Sequence, residues 1–177
     1  MTEKNDTSRL KEKYIFRNIR QEEITQAAEI EKICFPPNEA CSYEHMKKRV
    51  DKAPELFLVA EDSATGRIAG FLNGLATDRE HLTDDFFTDA EMHDPKGKNI
   101  MLLGLDVLPE YQHQGLAREL VRCYKEREKA NGREKLILTC LPDKVEMYQK
   151  FGFKDHGIGG SVWGGEAWHE MSVELWG

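Results

Sequence analysis

The hydrophobic positions along the chain follow the periods of strands and helices in turn. Alternation in the segment YIFRNI, which begins at Tyr14, is typical of a strand. Apolar residues then recur at helical spacing over residues 24–34, and the double proline at Pro36 and Pro37 ends that helix. A second, short helix is predicted after Ser42 and ends before Pro54.

The middle of the chain predicts an antiparallel hairpin followed by a long acidic segment. The runs LFLVAE and RIAGFLNGLA are separated by a polar turn around Thr65 and Gly66, which is the pattern of a hairpin. Residues 78–98 are acidic and irregular, with few apolar anchors. They predict a long loop that contains some helix.

The second half of the chain alternates buried strands with helices. NIMLLGLDV, over residues 99–107, is almost continuously apolar and predicts a central strand covered on both faces. An amphipathic helix from about Gly115 to Asn131 follows, then the strand KLILTC, the short helix VEMYQKF and two strands after Phe153. This order predicts one mixed α/β domain over residues 14–177, and the polar residues 1–13 predict a disordered leader.

Composition and charge narrow the class of protein. The chain has 177 residues, of which 40% are hydrophobic and 32% charged, and this balance is typical of a globular protein rather than a disordered or fibrous one. A net charge of -7 disfavours nonspecific binding to nucleic acid and to anionic lipid. The sequence has neither an apolar run of roughly 20 residues that would span a bilayer nor the apolar stretch of a signal peptide. We therefore expect a cytoplasmic protein that binds neither nucleic acid nor membrane.

The spacing of cysteines and histidines gives no indication of a metal or a disulfide. The four cysteines contain no C-x-x-C pair, and the six histidines show no H-x-x-x-H spacing. We expect free thiols and no metal site.

The junction LDVLPEYQHQGLARELV carries the strongest chemical signal in the chain. A strand ends at Val107, a short loop follows, and a helix starts near Gly115. The first turn of a helix presents unpaired backbone N–H groups at its positive dipole end, and this arrangement binds pyrophosphate. Glycine at the tightest point matters because a Cβ would hold the phosphates off the backbone. The chain has neither a P-loop signature nor G-x-G-x-x-G, so ATP and NAD are not expected in their usual sites.

At this junction the sequence resembles the GNAT superfamily of acyl-CoA-dependent N-acetyltransferases. The family's pyrophosphate motif Q/R-x-x-G-x-G/A is matched by Gln112, Gly115 and Ala117, and MYQKFGF is similar to the family's Y-x-x-x-G-F segment. The resemblance covers most of residues 14–175 and is closest to the arylalkylamine (serotonin-type) N-acetyltransferases. It implies a mixed, mostly antiparallel sheet of about seven strands flanked by helices, with a splayed strand pair at the cofactor site.

The resemblance assigns the cofactor site residue by residue. The backbone of Leu105, Asp106 and Val107 would pair with the pantetheine arm and the acetyl carbonyl of acetyl-CoA. The residues around the pyrophosphate would be Gln112, His113, Gln114, Gly115, Leu116, Ala117 and Arg118. Cys140 closes the next strand at the same site, and we expect it to be a small buried side chain rather than a nucleophile.

The resemblance also assigns a general acid and an amine pocket. Tyr148 matches the tyrosine that protonates the departing CoA thiolate, a role that suits a phenol with a pKa of about 10. The alternative is that Tyr148 belongs to the hydrophobic core, and that its hydroxyl has a hydrogen-bond partner but no catalytic role. The residues that would line the amine pocket are Phe35, Met101, Leu103, Trp163 and Trp168. Ordinary hairpin core is an equal alternative for the two tryptophans.

The sequence departs from the nearest subfamily at the general base. The serotonin-type enzymes carry two histidines on the central strand, where this chain has Met101 and Leu103. An alkylamine with a pKa of about 10 arrives protonated, so something must still remove its proton. Insect relatives use a glutamate after the first helix, and Glu39 stands at the similar place here. Glu39 is therefore the candidate base, and the alternative is an exposed loop glutamate.

The carboxyl group of Asp106 has an expected role separate from that of the Asp106 backbone at the cofactor site. Strict alternation places this carboxyl group on the strand face opposite Met101, Leu103 and Leu105. We expect it there to bond to backbone or to a helix rather than to take part in chemistry.

The sequence is compatible with three functions. The first is acetyl-CoA-dependent acetylation of a primary amine on a small molecule, such as an arylalkylamine or a polyamine, and the carboxylates of residues 78–94 and Glu39 at the mouth favour it. The second is a noncatalytic acyl-CoA-binding regulatory module, which the missing histidine pair favours. The third is acetylation of a protein lysine or N-terminus. In each case we expect a monomer or a homodimer.

Overall fold

A seven-stranded sheet forms the centre of the fold. The computed structural model describes the backbone of residues 2–176 and the side chains of residues 8–176, so Met1 and Gly177 lie outside the described residues. The strands are β1 (Tyr14–Asn18), β2 (Phe57–Asp62), β3 (Ile68–Thr77), β4 (Asn99–Val107), β5 (Lys135–Cys140), β6 (Lys154–Ile158) and β7 (His169–Glu174). They lie in the order β1-β2-β3-β4-β5-β7-β6, and every neighbouring pair is antiparallel except β4 and β5.

Helices cover both faces of this sheet. They are α1 (Thr2–Lys13), α2 (Ile24–Cys34), α3 (Tyr43–Lys52), α4 (Asp85–Thr88), α5 (Leu116–Ala130) and α6 (Val145–Lys150). Asn73 of β3 contacts Arg49 of α3, whereas a Cβ on its neighbour Gly74 would meet Tyr124 of α5. Because successive strand residues point to opposite faces, α2 and α3 cover one face and α5 covers the other. Over residues 2–176, the structure contains no helix that is long and apolar enough to cross a membrane.

The mixed α/β fold predicted from the sequence is confirmed, and local signals explain its element boundaries. The Ser42 hydroxyl accepts a hydrogen bond from the backbone N–H of His45 and caps α3. Gly66, with a φ of 76°, forms the turn between β2 and β3. The acidic segment 78–98 is a loop that contains α4 and one further helical turn, as predicted.

The N-terminal segment differs from the prediction. A disordered leader is predicted for residues 1–13, but the structure has helix α1 there. Leu10 on this helix is buried in the core, and the Lys13 ammonium donates to the Gln114 side chain at 2.8 Å. These contacts reach residues far away in the sequence, which explains why local composition did not indicate them.

Strands β4 and β5 separate soon after they meet. They pair only from Asn99 and Lys135 to Met101 and Ile137, whereas β5 continues beside β7 as far as Cys140. The edge of β4 over residues 102–107 therefore has no strand beside it on the β5 side. This is the splayed strand pair that the sequence predicts.

A bulge in β4 changes which face its side chains occupy. In the register with β3, Asn73 pairs with Gly104 but Gly74 pairs with Leu102, so Leu103 is an extra residue. Phe71 and Leu75 lie on one face of β3, and their partners are Asp106 and Met101 respectively. Asp106 therefore lies on the same face as Met101, so the prediction of opposite faces is wrong for Met101, although it holds for Leu105. Strict alternation fails because the bulge inserts one residue between the two positions.

Helix α5 packs closely on the sheet because β3 has no side chain at Gly74. An added Cβ would lie 2.7 Å from the Met101 carbonyl oxygen and 2.8 Å from Ile100 Cγ2. We expect Gly74→Ala to lower the free energy of unfolding by about 1–3 kcal/mol, as overpacking does, in a denaturant titration. Gly160→Ala is the control, because its Cβ would meet nothing within 4 Å, and it should change stability by about 0.5 kcal/mol or less. Equal effects of the two substitutions would contradict close packing at Gly74.

Candidate functional site

A single cavity of about 670 Å³ runs through the gap between β4 and β5. Its walls come from β4 and β5, from the ends of α2 and α5, and from α6. On the outer side it reaches the loop that contains Trp163 and Trp168. The gap exists because the two strands stop pairing at Met101, so the splayed sheet itself makes the cavity.

The start of α5 forms one end of this cavity. Gly115 precedes the 15-residue helix with a φ of 82°, a conformation that side-chain-bearing residues rarely adopt. The only atom near an added Cβ there would be Leu10 Cδ1 at 3.9 Å, so the space in front of the helix is open. Leu116, Ala117 and Arg118 of the first turn also line the cavity. Unpaired N–H groups and the helix dipole therefore face a space that an anion can enter.

Most of the predicted cofactor residues line this cavity. The lining residues are Leu105, Val107, Gln112, His113, Gly115, Leu116, Ala117, Arg118 and Cys140. Gln114 does not line it, because its side chain accepts hydrogen bonds from Lys13 and from the Tyr14 hydroxyl. Asp106 is fully buried behind the cavity wall.

The loop before α5 is fastened to the end of β4. The Val107 carbonyl oxygen accepts hydrogen bonds from Gln112 Nε2 at 3.0 Å and from the Cys34 thiol at 3.4 Å. Gln112, the first residue of the predicted motif, thus fixes the loop's position with its side chain. Burial raises the pKa of Cys34 to about 11, so this thiol stays protonated and can donate at neutral pH.

Tyr148 stands on α6 at the cavity wall. Its ring is held edge-on by Phe151 and Phe153, with ring centroids 6.0 and 5.7 Å away. Burial raises the pKa of Tyr148 well above its ordinary value. The phenol is therefore fully protonated at neutral pH and is able to donate a proton.

Aromatic side chains form the outer wall of the cavity. Of the residues expected at the amine pocket, Phe35, Leu103, Trp163 and Trp168 line this cavity, whereas Met101 is fully buried and does not. The Trp168 indole donates to the Trp163 carbonyl at 2.7 Å. Phe87, which the sequence did not indicate, packs on Trp163 with ring centroids 5.0 Å apart.

Two carboxylates stand at the mouth beside these rings. Glu39 and Asp143 both line the cavity, and the Trp163 indole donates to the Glu39 backbone carbonyl at 2.9 Å. Burial raises the pKa of Glu39, and the charges of Glu166 and Asp143 raise it further. None of the carboxylates expected to contribute from residues 78–94 lines the cavity, and Phe87 is the one residue of that segment on its wall. Glu80 pairs with Lys98 and Lys135 away from the cavity, whereas Asp84 accepts hydrogen bonds from the Ser161 hydroxyl and the Val162 backbone N–H, just before Trp163.

Comparison with known proteins decides the family. The profile of the acetyltransferase (GNAT) family matches residues 24–153. The chain belongs to this family. The match includes α2, the splayed strands, the start of α5 and Tyr148.

Solved structures share this fold, and a curated protein is similar in sequence to most of the chain. The loading GNATL domain of CurA from Lyngbya majuscula has a TM-score of 0.78 at 18% identity and covers 92% of this chain and 98% of its own. The GphF GNAT-like decarboxylase in complex with isobutyryl-CoA has a TM-score of 0.76 at 18% identity and covers 92% and 100%. "Probable hydrolase YhcX" of Bacillus subtilis (strain 168) is 27% identical over 158 residues, or 85% of this chain. This chain spans only 30% of that relative's length.

The inner end of the cavity in this GNAT protein contains charged residues that the sequence reading missed. Glu31 and Arg49 line the cavity although both are buried. Glu31 Oε2 accepts from the Cys41 backbone N–H at 3.0 Å, and Arg49 donates to Asn73 Oδ1 at 3.3 Å. The sequence does contain one indication that Glu31 is buried. This residue falls at the helical spacing of the apolar stripe that includes residues 24, 27 and 28. Among residues 2–176, no group of three or more His, Cys, Asp or Glu side chains is placed to hold a metal ion.

Gly115 allows a direct test of anion binding at the start of α5. We expect Gly115→Val to raise the Kd for acetyl-CoA by at least about tenfold, or about 1.4 kcal/mol, because its Cβ would fill the space in front of the helix. Titration calorimetry measures this effect. Gly66→Val is the matched control, because Gly66 has a similar φ of 76° and an equally open environment away from the cavity. Both variants carry the same backbone strain, so an equal loss of affinity in the two would contradict a pyrophosphate site at Gly115.

Proposed function

We propose that this protein is an acyltransferase that moves the acetyl group of acetyl-CoA directly to a primary amine of a small molecule. The observation that carries the proposal is the continuity of the cavity from Gly115, past Tyr148, to Trp163 and Glu39. A thioester bound at the helix end and an amine bound at the mouth would meet in the gap between β4 and β5.

The unpaired edge of β4 supports the choice of a CoA thioester. The pantetheine arm is a linear chain with amide groups, and such a chain can add to an exposed strand edge through backbone hydrogen bonds. Residues 102–107 provide this edge, and the start of α5 provides the site for the pyrophosphate. The isobutyryl-CoA complex of the similar fold in GphF agrees with this assignment.

The composition of the mouth supports a cationic acceptor. Carboxylates attract an ammonium group, and the faces of aromatic rings bind cations. Glu39 and Asp143 supply the charge, and Trp163 and Phe87 supply the rings. An arylalkylamine matches this combination best, because its own ring can pack on the aromatic wall. A polyamine is the second amine class that these charges favour.

A binding and turnover experiment separates the candidate functions. Titration calorimetry with acetyl-CoA is followed by a thiol-release assay with arylalkylamines, polyamines and lysine-containing peptides. We expect tight binding and release of CoA thiol with the small amines. Binding without turnover on any acceptor would instead indicate a noncatalytic acyl-CoA-binding module, and turnover on peptides alone would indicate a protein acetyltransferase.

Tyr148 is the proposed proton donor to the CoA thiolate. We expect Tyr148→Phe to lower kcat by roughly 10²-fold and to leave the Kd for acetyl-CoA nearly unchanged, because the proton is needed only as the C–S bond breaks. Tyr43→Phe is the control, since Tyr43 is an exposed tyrosine. A normal kcat in Tyr148→Phe would show that Tyr148 is a structural residue of the core and not the proton donor.

Glu39 has two candidate roles, attraction of the amine and removal of its proton. For attraction alone, we expect Glu39→Gln to raise KM for a cationic amine by up to about fivefold, since partly exposed charges contribute about 1 kcal/mol or less. The effect should fade with salt, and kcat and its pH profile should stay unchanged. A profile whose acid limb moves in Glu39→Gln, but not in the exposed control Glu22→Gln, would show instead that Glu39 is the base.

A further inference from the structure

Two carboxyl groups meet behind the inner wall of the cavity. Glu31 of α2 is 4% exposed and Asp106 of β4 is 0% exposed. Both carboxyl oxygens of Asp106, and Oε1 of Glu31, have no hydrogen-bond donor among the described residues. Buried carboxylate oxygens without a donor are costly, so this arrangement calls for a proton or a ligand.

The backbone of β4 at Gly104 lies close to oxygens of both carboxyl groups. A Cβ added to Gly104 would lie 3.2 Å from Asp106 Oδ1 and 3.7 Å from Glu31 Oε1. The absent side chain thus leaves room for the two carboxyl groups to approach one another. Burial, and next the charge of Glu31, raise the pKa of Asp106 well above its ordinary value. One proton shared between two close carboxyl groups satisfies these observations.

Few other charges face the pair. Arg49 of α3 is the cation that acts on Asp106 and partly offsets the effect of burial. Cys34 of α2 and Cys41 of the following loop are neutral thiols, because burial raises the pKa of each to about 11. Tyr148 of α6 faces Asp106 from the far side of the gap.

We propose that Glu31 is the base that receives the proton of the amine, and that Asp106 is the positioning residue that shares this proton. The proposal rests on the proposed amine acetylation. Glu31 lines the cavity and can therefore touch the substrate, whereas Asp106 stands behind it and reaches the amine only through Glu31.

The proton and bond changes balance with the groups present. The resting pair already holds one proton, so it first releases that proton to solvent through the cavity. The amine arrives as an ammonium ion; one N–H bond breaks, and an O–H bond forms at Glu31, which restores the shared proton of the pair. The neutral amine then attacks the thioester carbonyl, so that a C–N bond forms and the C–S bond breaks. Tyr148 protonates the sulfur and is reprotonated by the second proton of the amine nitrogen. The products are the amide, the thiol and the one proton that the pair released at the start.

Glu31 suits this task better than Glu39 because of its surroundings. Glu39 is half-buried at the mouth, among other carboxylates. Glu31 lies on the inner wall beside Leu103 and Gly104, next to the strand edge that would hold the thioester. Burial and the charge of Glu31 raise the pKa of Asp106, so the pair binds a proton more readily than a solvated carboxylate does, which is the property a base needs.

The kinetic test compares pH profiles of kcat/KM in Glu31→Gln, Asp106→Asn and the control Glu29→Gln. We expect Glu31→Gln to lose roughly 10²-fold or more in kcat/KM, because no acceptor is left on the inner wall. Asp106→Asn should move the acid limb to lower pH by about one unit or more, since the group with the raised pKa is gone. Glu29→Gln should resemble the wild type, because that side chain is 63% exposed on the same helix.

A purely structural role predicts a different result. Asp106→Asn would then lower kcat/KM equally at every pH, and that outcome would overturn the proposal. Thermal unfolding and acetyl-CoA binding establish that each variant is folded. Glu31→Asp should restore part of the rate lost in Glu31→Gln, because it returns a carboxyl group to the wall.

A spectroscopic test does not depend on turnover. The infrared C=O band of a protonated carboxyl group should be present at neutral pH in the wild type and in Glu29→Gln, and absent in Asp106→Asn. Its absence from the wild type would refute the shared proton. If the wild type acetylates no amine, both the proposed function and the assignment of Glu31 as the base are wrong. If the wild type is active and Glu31→Gln equals it, only the assignment of the base is wrong.

Discussion

The early separation of β4 from β5 is the constraint on which the rest of the site depends. A parallel pair that continued beyond Met101 would close the sheet and fill the cavity with backbone. Because the pair stops there, β4 keeps an unpaired edge, α5 begins at an open end, and α6 brings Tyr148 to the opposite wall. The remaining sheet keeps its continuity, since β5 pairs with β7 along its whole length.

The elements of this fold could be predicted from the sequence because each has a local cause. Periodic apolar positions, Ser42 at the start of α3 and Gly66 at the hairpin turn acted over a few residues, and the structure confirms the resulting fold. The start of α5 was predictable for the same reason, because its glycine and its preceding strand are neighbours in the chain. Helix α1 was missed because Leu10 and Lys13 are held by distant residues.

The candidate site could be predicted only in part, for a related reason. From the sequence, Trp163 and Trp168 are candidates for the pocket and for the hairpin core alike, and the structure shows that both line the cavity. Glu31 is not predicted, because a charged residue in an apolar stripe does not reveal its partner. The face of Asp106 was predicted wrongly because one extra residue at Leu103 reverses the alternation. A bulge has no dependable signature in a continuously apolar strand such as NIMLLGLDV.

That bulge has an energetic consequence that points to function. It turns Asp106 towards α2 and Glu31, where burial raises the pKa of the Asp106 carboxyl. The folded chain therefore keeps a proton that the unfolded chain loses above a pH of about 4. Stability consequently falls as the pH rises from there until the folded state also loses its proton. An apolar residue at position 106 would avoid this cost, so a carboxyl pair in the wall of a ligand-sized cavity is better explained by its chemistry than by its contribution to folding.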